Sequence, residues 1–196
     1  MNHFKKVDSV LFGAFEKVGK IEEIRARVED EYFVSLCREI INQQLSDKVA
    51  SVIFERFLKL FPKRKVTPQL ILKIKDEDIR KVGTSWSKVK YIKDLASKIQ
   101  TKEVKLKKLK DMNNEEAIAE LIKIKGIGRW TAEMFLMFSL GREDIFSHGD
   151  LGLKNGLKKL YKIENLTLEK AEEITSKWSP YKSYGSRILW DYMDLK

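Results

Sequence analysis

The stretch that decides the fold is LIKIKGIGRWTA, residues Leu121–Ala132. Two glycines separated by one apolar residue turn a chain sharply, because glycine has no side chain to obstruct the bend. Such a turn before a helix N-terminus presents unpaired backbone amides to an anion. We expect Ile127 to point into the core, while Lys125 and Arg129 add positive charge. The pattern predicts two helices joined by a hairpin that contacts DNA phosphates, although Gly-x-Gly alone also fits an ordinary turn.

Outward from this hairpin, apolar residues recur at helical spacing on both sides. No segment alternates apolar and polar residues in the manner of a strand, so we predict an all-α fold with about ten helices. The longer predicted helices are Phe33–Ile41, Val49–Leu60, Val89–Ile99, Glu115–Ile124, Arg129–Leu140, Leu151–Tyr161, Leu168–Trp178 and Tyr181–Leu195.

The chain has 196 residues, of which 43% are hydrophobic and 35% charged, and this composition is typical of a folded globular protein. Its length allows one core or two lobes. We expect one lobe at approximately 34–135 and a second formed by 1–33 with 136–196. Apolar runs such as Met134–Leu140 are too short to cross a bilayer, and no signal peptide is evident. We therefore expect an intracellular protein, and a monomer, since no heptad repeat is present.

The charge balance favours a polyanionic partner. Lysine and arginine total 39 against 29 acidic residues, which gives a net charge of +10. Neutralising phosphates releases their counterions, so such an excess fits nucleic acid, although a lysine-rich genome would also produce it. Cys37 is the single cysteine. A single cysteine excludes an internal disulfide and a cysteine-ligated iron–sulfur cluster.

A second informative stretch is DIFSHGDLGL, residues Asp144–Leu153. Asp150 stands immediately before a predicted helix, where aspartate is a favoured N-cap. An N-cap carboxylate can also take part in a reaction, so a capping role and a catalytic role for Asp150 are compatible. Asp144 is the other nearby candidate for a reactive carboxylate, and we expect it to lie in a turn. We assign no catalytic role to His148.

Taken together, these stretches resemble the helix-hairpin-helix/GPD DNA glycosylase superfamily. The hairpin residues that match its motif are Leu121, Ile124, Gly126, Ile127, Gly128, Thr131 and Ala132. Gly149-Asp150 is similar to the end of the GPD loop, but the proline is missing. IINQQLS (Ile40–Ser46) and WSPYKSY (Trp178–Tyr184) resemble the alkylbase branch, that of 3-methyladenine DNA glycosylase II.

The resemblance implies two helical lobes flanking a DNA-binding cleft, and hydrolysis of the N-glycosidic bond of 3-methyladenine or 7-methylguanine in double-stranded DNA. Asp150 would be the catalytic carboxylate, stabilising the sugar cation and orienting water. Main-chain carbonyls of Ile122, Ile124 and Ile127 would hold Na⁺ or K⁺, and no other cofactor is implied. The residues that would contact phosphate are Lys125, Gly126, Ile127, Gly128, Arg129 and Thr131.

The resemblance also assigns the residues that handle the flipped base. Gln43 and Gln44 stand where the family inserts a wedge, and we prefer Gln44. The positions that match the base pocket are Trp130, Met134 and Leu151. Weaker aromatic candidates are Tyr181, Tyr184 and Trp190, because aromatic residues at helical spacing are more often part of the core. Met134 and Leu151 replace aromatic residues of the family, so the range of substrates stays open.

Bifunctional members carry a lysine two residues after the second hairpin glycine, and this chain has Trp130 there. A tryptophan cannot form a Schiff base, so the resemblance implies no lysine-type lyase activity. Two alternatives remain open at this point. One is the same scaffold acting on hypoxanthine, uracil or an oxidised purine, and the other is a DNA-binding protein without catalysis.

Overall fold

The computed structural model describes residues 1–195, and every regular element in that range is a helix. The α-helices are α1 (Asn2–Val7), α2 (Ser9–Val18), α3 (Tyr32–Asn42), α4 (Asp47–Lys59), α5 (Pro68–Lys73), α6 (Asp76–Lys81), α7 (Trp86–Gln100), α8 (Asn114–Leu121), α9 (Arg129–Phe138), α10 (Leu151–Tyr161), α11 (Leu168–Thr175) and α12 (Lys182–Asp194). The 3₁₀ turns are Glu29–Glu31, Pro62–Arg64, Leu106–Asp111 and Ser176–Trp178. The all-α prediction is confirmed. None of the helices described combines the length and the apolar character that crossing a membrane requires.

Side-chain caps fix the starts of several helices. Thr67 accepts a hydrogen bond from the Leu70 amide at 3.3 Å, and Pro68 occupies the first helical position of α5. Asn113 and Glu116 form a reciprocal capping box at the start of α8. Local sequence chemistry is therefore sufficient to begin these helices.

Helix ends differ from prediction by a few residues. The segment 168–178 is α-helical only to Thr175 and continues as a 3₁₀ turn to Trp178. The last helix begins at Lys182, after a cis peptide bond between Ser179 and Pro180. Helix α8, which precedes the Gly126–Gly128 hairpin, ends at Leu121. There the chain passes into tighter 3₁₀ geometry, because the Ile124 amide donates to the Leu121 carbonyl, three residues back.

The chain divides into two compact units. The terminal unit comprises Met1–Ala26 and the chain from Leu136 onward, and the middle unit is Arg27–Phe135. The boundary at residues 135 and 136 falls inside α9.

The core of the terminal unit packs against a half-buried carboxylate, that of Asp8. Asp8 accepts hydrogen bonds from the Trp178 indole at 2.8 Å and from the Tyr161 hydroxyl at 2.5 Å. Its other oxygen caps α2 through the amides of Val10 and Leu11. The apolar residues buried around Trp178 are Phe4, Leu11, Ala14, Phe146, Leu153, Leu157, Ala171, Ile174, Ile188 and Leu189. Residues near the N-terminus thus complete the core that the C-terminal helices begin.

The middle unit buries the apolar faces of α3, α4, α7 and α8. Cys37 is fully buried in α3, and burial raises the pKa of its thiol far above the ordinary value. The buried Glu120 carboxylate accepts bonds from the Lys105 amide at 2.8 Å and from the Lys123 ammonium at 2.5 Å. Burial alone would raise the pKa of Glu120, but these hydrogen bonds lower it overall.

Candidate functional site

The hairpin between α8 and α9 lies in the middle unit and requires glycine at Gly126. This residue has φ +82°, a left-handed backbone conformation that residues with a side chain rarely adopt. A Cβ atom there would lie 2.2 Å from the Tyr91 ring. Ile127 is buried, as predicted. The turn therefore depends both on the backbone freedom of Gly126 and on the space that its missing side chain leaves to Tyr91.

The hairpin amides fall into two groups. The Lys125 amide donates to the Asp94 carboxylate at 2.9 Å, and the Ile127 amide to the Ile124 carbonyl at 3.1 Å. Across residues 1–195, the amides of Gly126 and Gly128 donate to no other residue. Nothing lies within 4 Å of the position that a Cβ would take at Gly128. An external acceptor can thus approach the Gly128 amide closely.

The basic side chains beside the hairpin have acidic partners. Arg129 donates from Nε to Glu133 at 3.0 Å and from its terminal nitrogens to Glu115, one of these bonds measuring 2.9 Å. The hydrogen bond from Arg129 lowers the pKa of Glu115. Lys125 Nζ lies 3.8 Å from Asp94. The predicted phosphate contacts of Arg129 and Lys125 would therefore compete with carboxylates.

A type II turn follows α3 and contains both predicted wedge residues. Gln43 has φ −46° and ψ 128°, Gln44 has φ 58°, and the Leu45 amide donates to the Asn42 carbonyl at 3.0 Å. Glycine or asparagine normally occupies the position that Gln44 holds. The Gln43 side-chain amide donates to the Gly126 carbonyl at 2.7 Å. This bond ties the turn, exposed at Gln44, to the hairpin.

A lysine that the sequence did not single out also binds this turn. Lys88 Nζ, from the first turn of α7, donates to the Ile41 carbonyl at 2.9 Å and to the Gln43 carbonyl at 2.7 Å. Burial lowers the pKa of Lys88. In the sequence, Lys88 is notable only as a lysine near the start of a helix, where a positive charge gains nothing from the helix dipole.

A cavity of about 510 Å³ in the middle unit gathers most of these residues. Its lining comprises Gln43, Gln44, Ser85, Ser87, Lys88, Tyr91, Gly126, Trp130 and Thr131. Trp130 is 44% exposed, whereas Thr131 and Met134 are buried. The structure thus brings the predicted wedge residues, a hairpin glycine and Trp130 to one cavity.

Asp150 lies in the terminal unit, at the N-cap of α10. Its Oδ1 accepts hydrogen bonds from the Leu153 amide at 2.7 Å and from Trp190 Nε1 at 3.2 Å. The residue is only 9% exposed. The N-cap interpretation is therefore confirmed, and the same carboxylate is held beside a predicted pocket residue.

Space beside Asp150 depends on Gly152 and is bordered by the Trp190 ring. A Cβ atom at Gly152 would lie 3.1 Å from Asp150 Oδ1 and 3.3 Å from the Trp190 ring. The Phe138 ring packs on Trp190 with centroids 6.0 Å apart. Sequence reasoning missed Phe138 because it stands in an apolar helical run typical of core, yet it is 41% exposed.

The other predicted residues of the terminal unit are placed differently. Leu151, next to Asp150, is 71% exposed. Tyr181 packs against His3 and Tyr184 with ring centroids 5.2 and 6.3 Å away, and lines a cavity whose lining includes neither Asp150 nor Trp190.

Asp144, the other candidate carboxylate, is engaged in hydrogen bonds at the start of α12. Asp144 accepts hydrogen bonds from the Ser179 hydroxyl at 2.6 Å and from the Lys182 amide at 3.3 Å, at the start of α12. His148 stacks edge-on against Phe146, with ring centroids 4.9 Å apart.

Comparison with known proteins identifies the family. The family model described as HhH-GPD superfamily base excision DNA repair protein matches residues 37–180. The chain therefore belongs to the HhH-GPD superfamily of base excision DNA repair proteins. A relative from Bacillus subtilis is 35% identical over 158 residues, which are 77% of this chain and 55% of that protein.

Two solved structures are similar over nearly the whole chain. A DNA-3-methyladenine glycosidase from Bacillus halodurans is 33% identical, with a TM-score of 0.85 over 99% of this chain and 90% of that one. The 3-methyladenine DNA glycosylase of Schizosaccharomyces pombe in complex with abasic DNA is 29% identical. Its TM-score is 0.81, over 98% of this chain and 95% of that one. The helical fold is therefore that of this superfamily.

Proposed function

We propose that this chain is a base excision repair glycosylase that hydrolyses the N-glycosidic bond of alkylated purines, of the 3-methyladenine and 7-methylguanine type. The observation that carries the proposal is the buried Asp150 carboxylate, held at the N-terminus of α10 beside Trp190 in a member of the HhH-GPD superfamily. The names of the similar Bacillus halodurans and Schizosaccharomyces pombe proteins support the substrate class.

The chemistry follows from the charge of the substrate. An N3- or N7-alkylated purine already carries a positive charge, so it departs as a neutral base with little acid assistance. Cationic character then develops on the sugar, and a carboxylate close to it lowers the barrier. In our proposal Asp150 supplies that charge and orients the attacking water. Its bonds from Leu153 and Trp190 fix the carboxylate before the substrate arrives.

Aromatic rings would receive the electron-poor base by stacking and cation–π attraction. Trp190 donates to Asp150 and Phe138 packs on Trp190, and we assign both rings to the reacting side of the base. Trp130 keeps the stacking role that the resemblance gives it, since its ring is accessible. Tyr181 is left out, because its contacts are with His3 and Tyr184.

DNA binding is assigned to the middle unit. The amides of Gly126 and Gly128 would bind a phosphate, and Gln44 would fill the gap that the flipped base leaves. The abasic DNA bound by the Schizosaccharomyces pombe protein supports damaged duplex DNA as the partner. We propose a monomeric enzyme, which light scattering of the purified protein would test.

We further propose that Na⁺ or K⁺ binds the hairpin carbonyls of Ile122, Ile124 and Ile127. Carbonyl oxygens suit a hard monovalent cation. The Ile124 oxygen, which accepts one bond from the Ile127 amide, retains a second lone pair. The cation would add positive charge where phosphate approaches. Duplex affinity in potassium chloride should then exceed that in tetramethylammonium chloride at equal ionic strength, and equal affinities would contradict this proposal.

The decisive experiment is base release from methylated duplex DNA, with alkali added to reveal abasic sites. The wild type should release base and cleave little DNA without alkali, because Trp130 stands where a lyase has lysine. Asp150→Asn should lose on the order of a hundredfold or more in rate. Asp144→Asn is the matched control and should stay close to wild type.

Several results would contradict the proposal. Asp150→Asn releasing base as fast as the wild type would remove the catalytic role. Release of hypoxanthine, uracil or an oxidised purine, with none of alkylated bases, would replace the substrate class. Binding without any base release would leave a DNA-binding protein only.

A further inference from the structure

The Lys88 amine lies where the C-terminal end of α3 passes into the turn that contains Gln44. Its hydrogen bonds of 2.9 Å to the Ile41 carbonyl and 2.7 Å to the Gln43 carbonyl bracket the start of this turn. Carbonyls at the end of a helix lack intrahelical partners, and a positive charge there is favourable. One side chain therefore satisfies acceptors on both sides of Asn42.

The turn itself needs support. Gln44 has φ 58°, a left-handed conformation that costs a residue with a Cβ about 1 kcal/mol or more. Strained backbone of this kind persists only where the surroundings over-determine it. Two contacts do so: the Lys88 ammonium on the Gln43 carbonyl, and the Gln43 side chain on the Gly126 carbonyl.

The surroundings of Lys88 are consistent with a side chain that positions the main chain of the turn. The amine is partly buried, and this burial lowers the pKa of Lys88. Among residues 1–195 it forms no ion pair, and its hydrogen bonds go to neutral carbonyls. Lys88 also lines the 510 Å³ cavity with Gln44 and Trp130. Its bonds thus fix main-chain atoms, and they do so inside the proposed DNA-binding cavity.

We propose that Lys88 is a positioning residue that holds the Asn42–Leu45 turn so that the exposed Gln44 side chain is ready to enter the duplex when the base leaves. This inference rests on the proposed function. Without Lys88 the turn would relax, and part of the binding energy for damaged DNA would be spent on restoring it.

The test compares three variants. Lys88→Met removes the donors and the charge, and Lys88→Arg keeps both. Lys90→Met is the matched control, because Lys90 is an exposed lysine of the same helix. Affinity is measured for a duplex with an abasic-site analogue and for the undamaged duplex. The ratio of the two is insensitive to a loss of folded protein, which lowers both equally.

We expect Lys88→Met to reduce this ratio about tenfold or more, because both charge-assisted hydrogen bonds to the turn are lost. Lys90→Met should leave the ratio unchanged, and Lys88→Arg should recover most of it. Since Lys88 acts through Gln44, Lys88→Met should reduce the ratio no further in a Gln44→Gly background. An unchanged ratio in Lys88→Met, or a full additional loss in the double variant, would overturn the proposal.

Base release by the wild type from methylated DNA separates the two proposals. If the wild type prefers the abasic duplex but releases no alkylated base, the proposed chemistry fails while the Lys88 measurement still decides this inference. If the wild type has no preference for the abasic duplex, there is no wedge for Lys88 to hold and the inference fails.

Discussion

The side-chain amide of Gln43 donates a 2.7 Å hydrogen bond to the main-chain oxygen of Gly126. These residues are far apart in the sequence, one following α3 and the other preceding α9. The bond joins the turn proposed to enter the duplex to the hairpin proposed to bind phosphate. A change in one element should therefore alter the other.

The two hairpin glycines should respond differently to alanine. Gly126→Ala places a methyl group against the Tyr91 ring in a left-handed conformation, so we expect the free energy of unfolding to fall by about 2 kcal/mol or more. Gly128→Ala meets open space and should preserve stability. It should weaken duplex binding, because its methyl group stands beside the amide proposed to bind phosphate. Thermal melting and fluorescence anisotropy measure the two effects, and a stable Gly126→Ala would contradict this account of the hairpin.

Gln44→Gly should separate stability from function. Glycine fits the third position of a type II turn, so the melting temperature should hold or rise. Affinity for abasic DNA should fall, because the side chain proposed to fill the gap is gone. Lys102→Gly is a suitable control, since Lys102 also has positive φ, at 62°, but lies outside the proposed site. Equal abasic-DNA affinity in the wild type and Gln44→Gly would exclude Gln44 as the wedge.

Glu115→Gln should increase DNA affinity severalfold. The charged pair with Arg129 is lost, which frees a guanidinium beside the hairpin for phosphate. Glu55→Gln is the control, because it removes the same charge from another exposed ion pair, with Arg64. Anisotropy titrations at two salt concentrations check the result. If both variants bind equally well, only net charge matters and the Arg129 contact is irrelevant.

Glu39→Gln should stabilise the protein in a pH-dependent way. Burial raises the pKa of Glu39 above its unfolded value, despite the nearby charges of Arg38 and Arg27. The unfolded state therefore holds fewer protons than the folded state once pH exceeds the unfolded pKa, and wild-type stability falls from there. The variant should melt higher than the wild type at pH 7 and equally at pH below about 4, where the carboxyl is protonated in both states. A constant difference across this range would refute the burial argument.

Local patterns were enough to predict the helical class and the position of Asp150 at a helix start. They worked because a helix start and a glycine turn are decided by a few neighbouring residues. The resemblance to the family added the hairpin, wedge and catalytic assignments. The ends of α8 and α11 were predicted too late in the sequence, because tightening into 3₁₀ geometry depends on packing that periodicity does not record.

The sequence by itself determined that this is a helical protein of the HhH-GPD type, with an aspartate capping the helix after the hairpin loop. Only the tertiary structure decided which side chains neighbour one another: Trp190 beside the aspartate with Phe138 packed on it, Glu115 bonded to Arg129, and Lys88 bonded to the turn before Gln44. The physical reason is range. Caps and turns are hydrogen-bonded within a few residues, whereas these contacts join helices that only the folded core brings together.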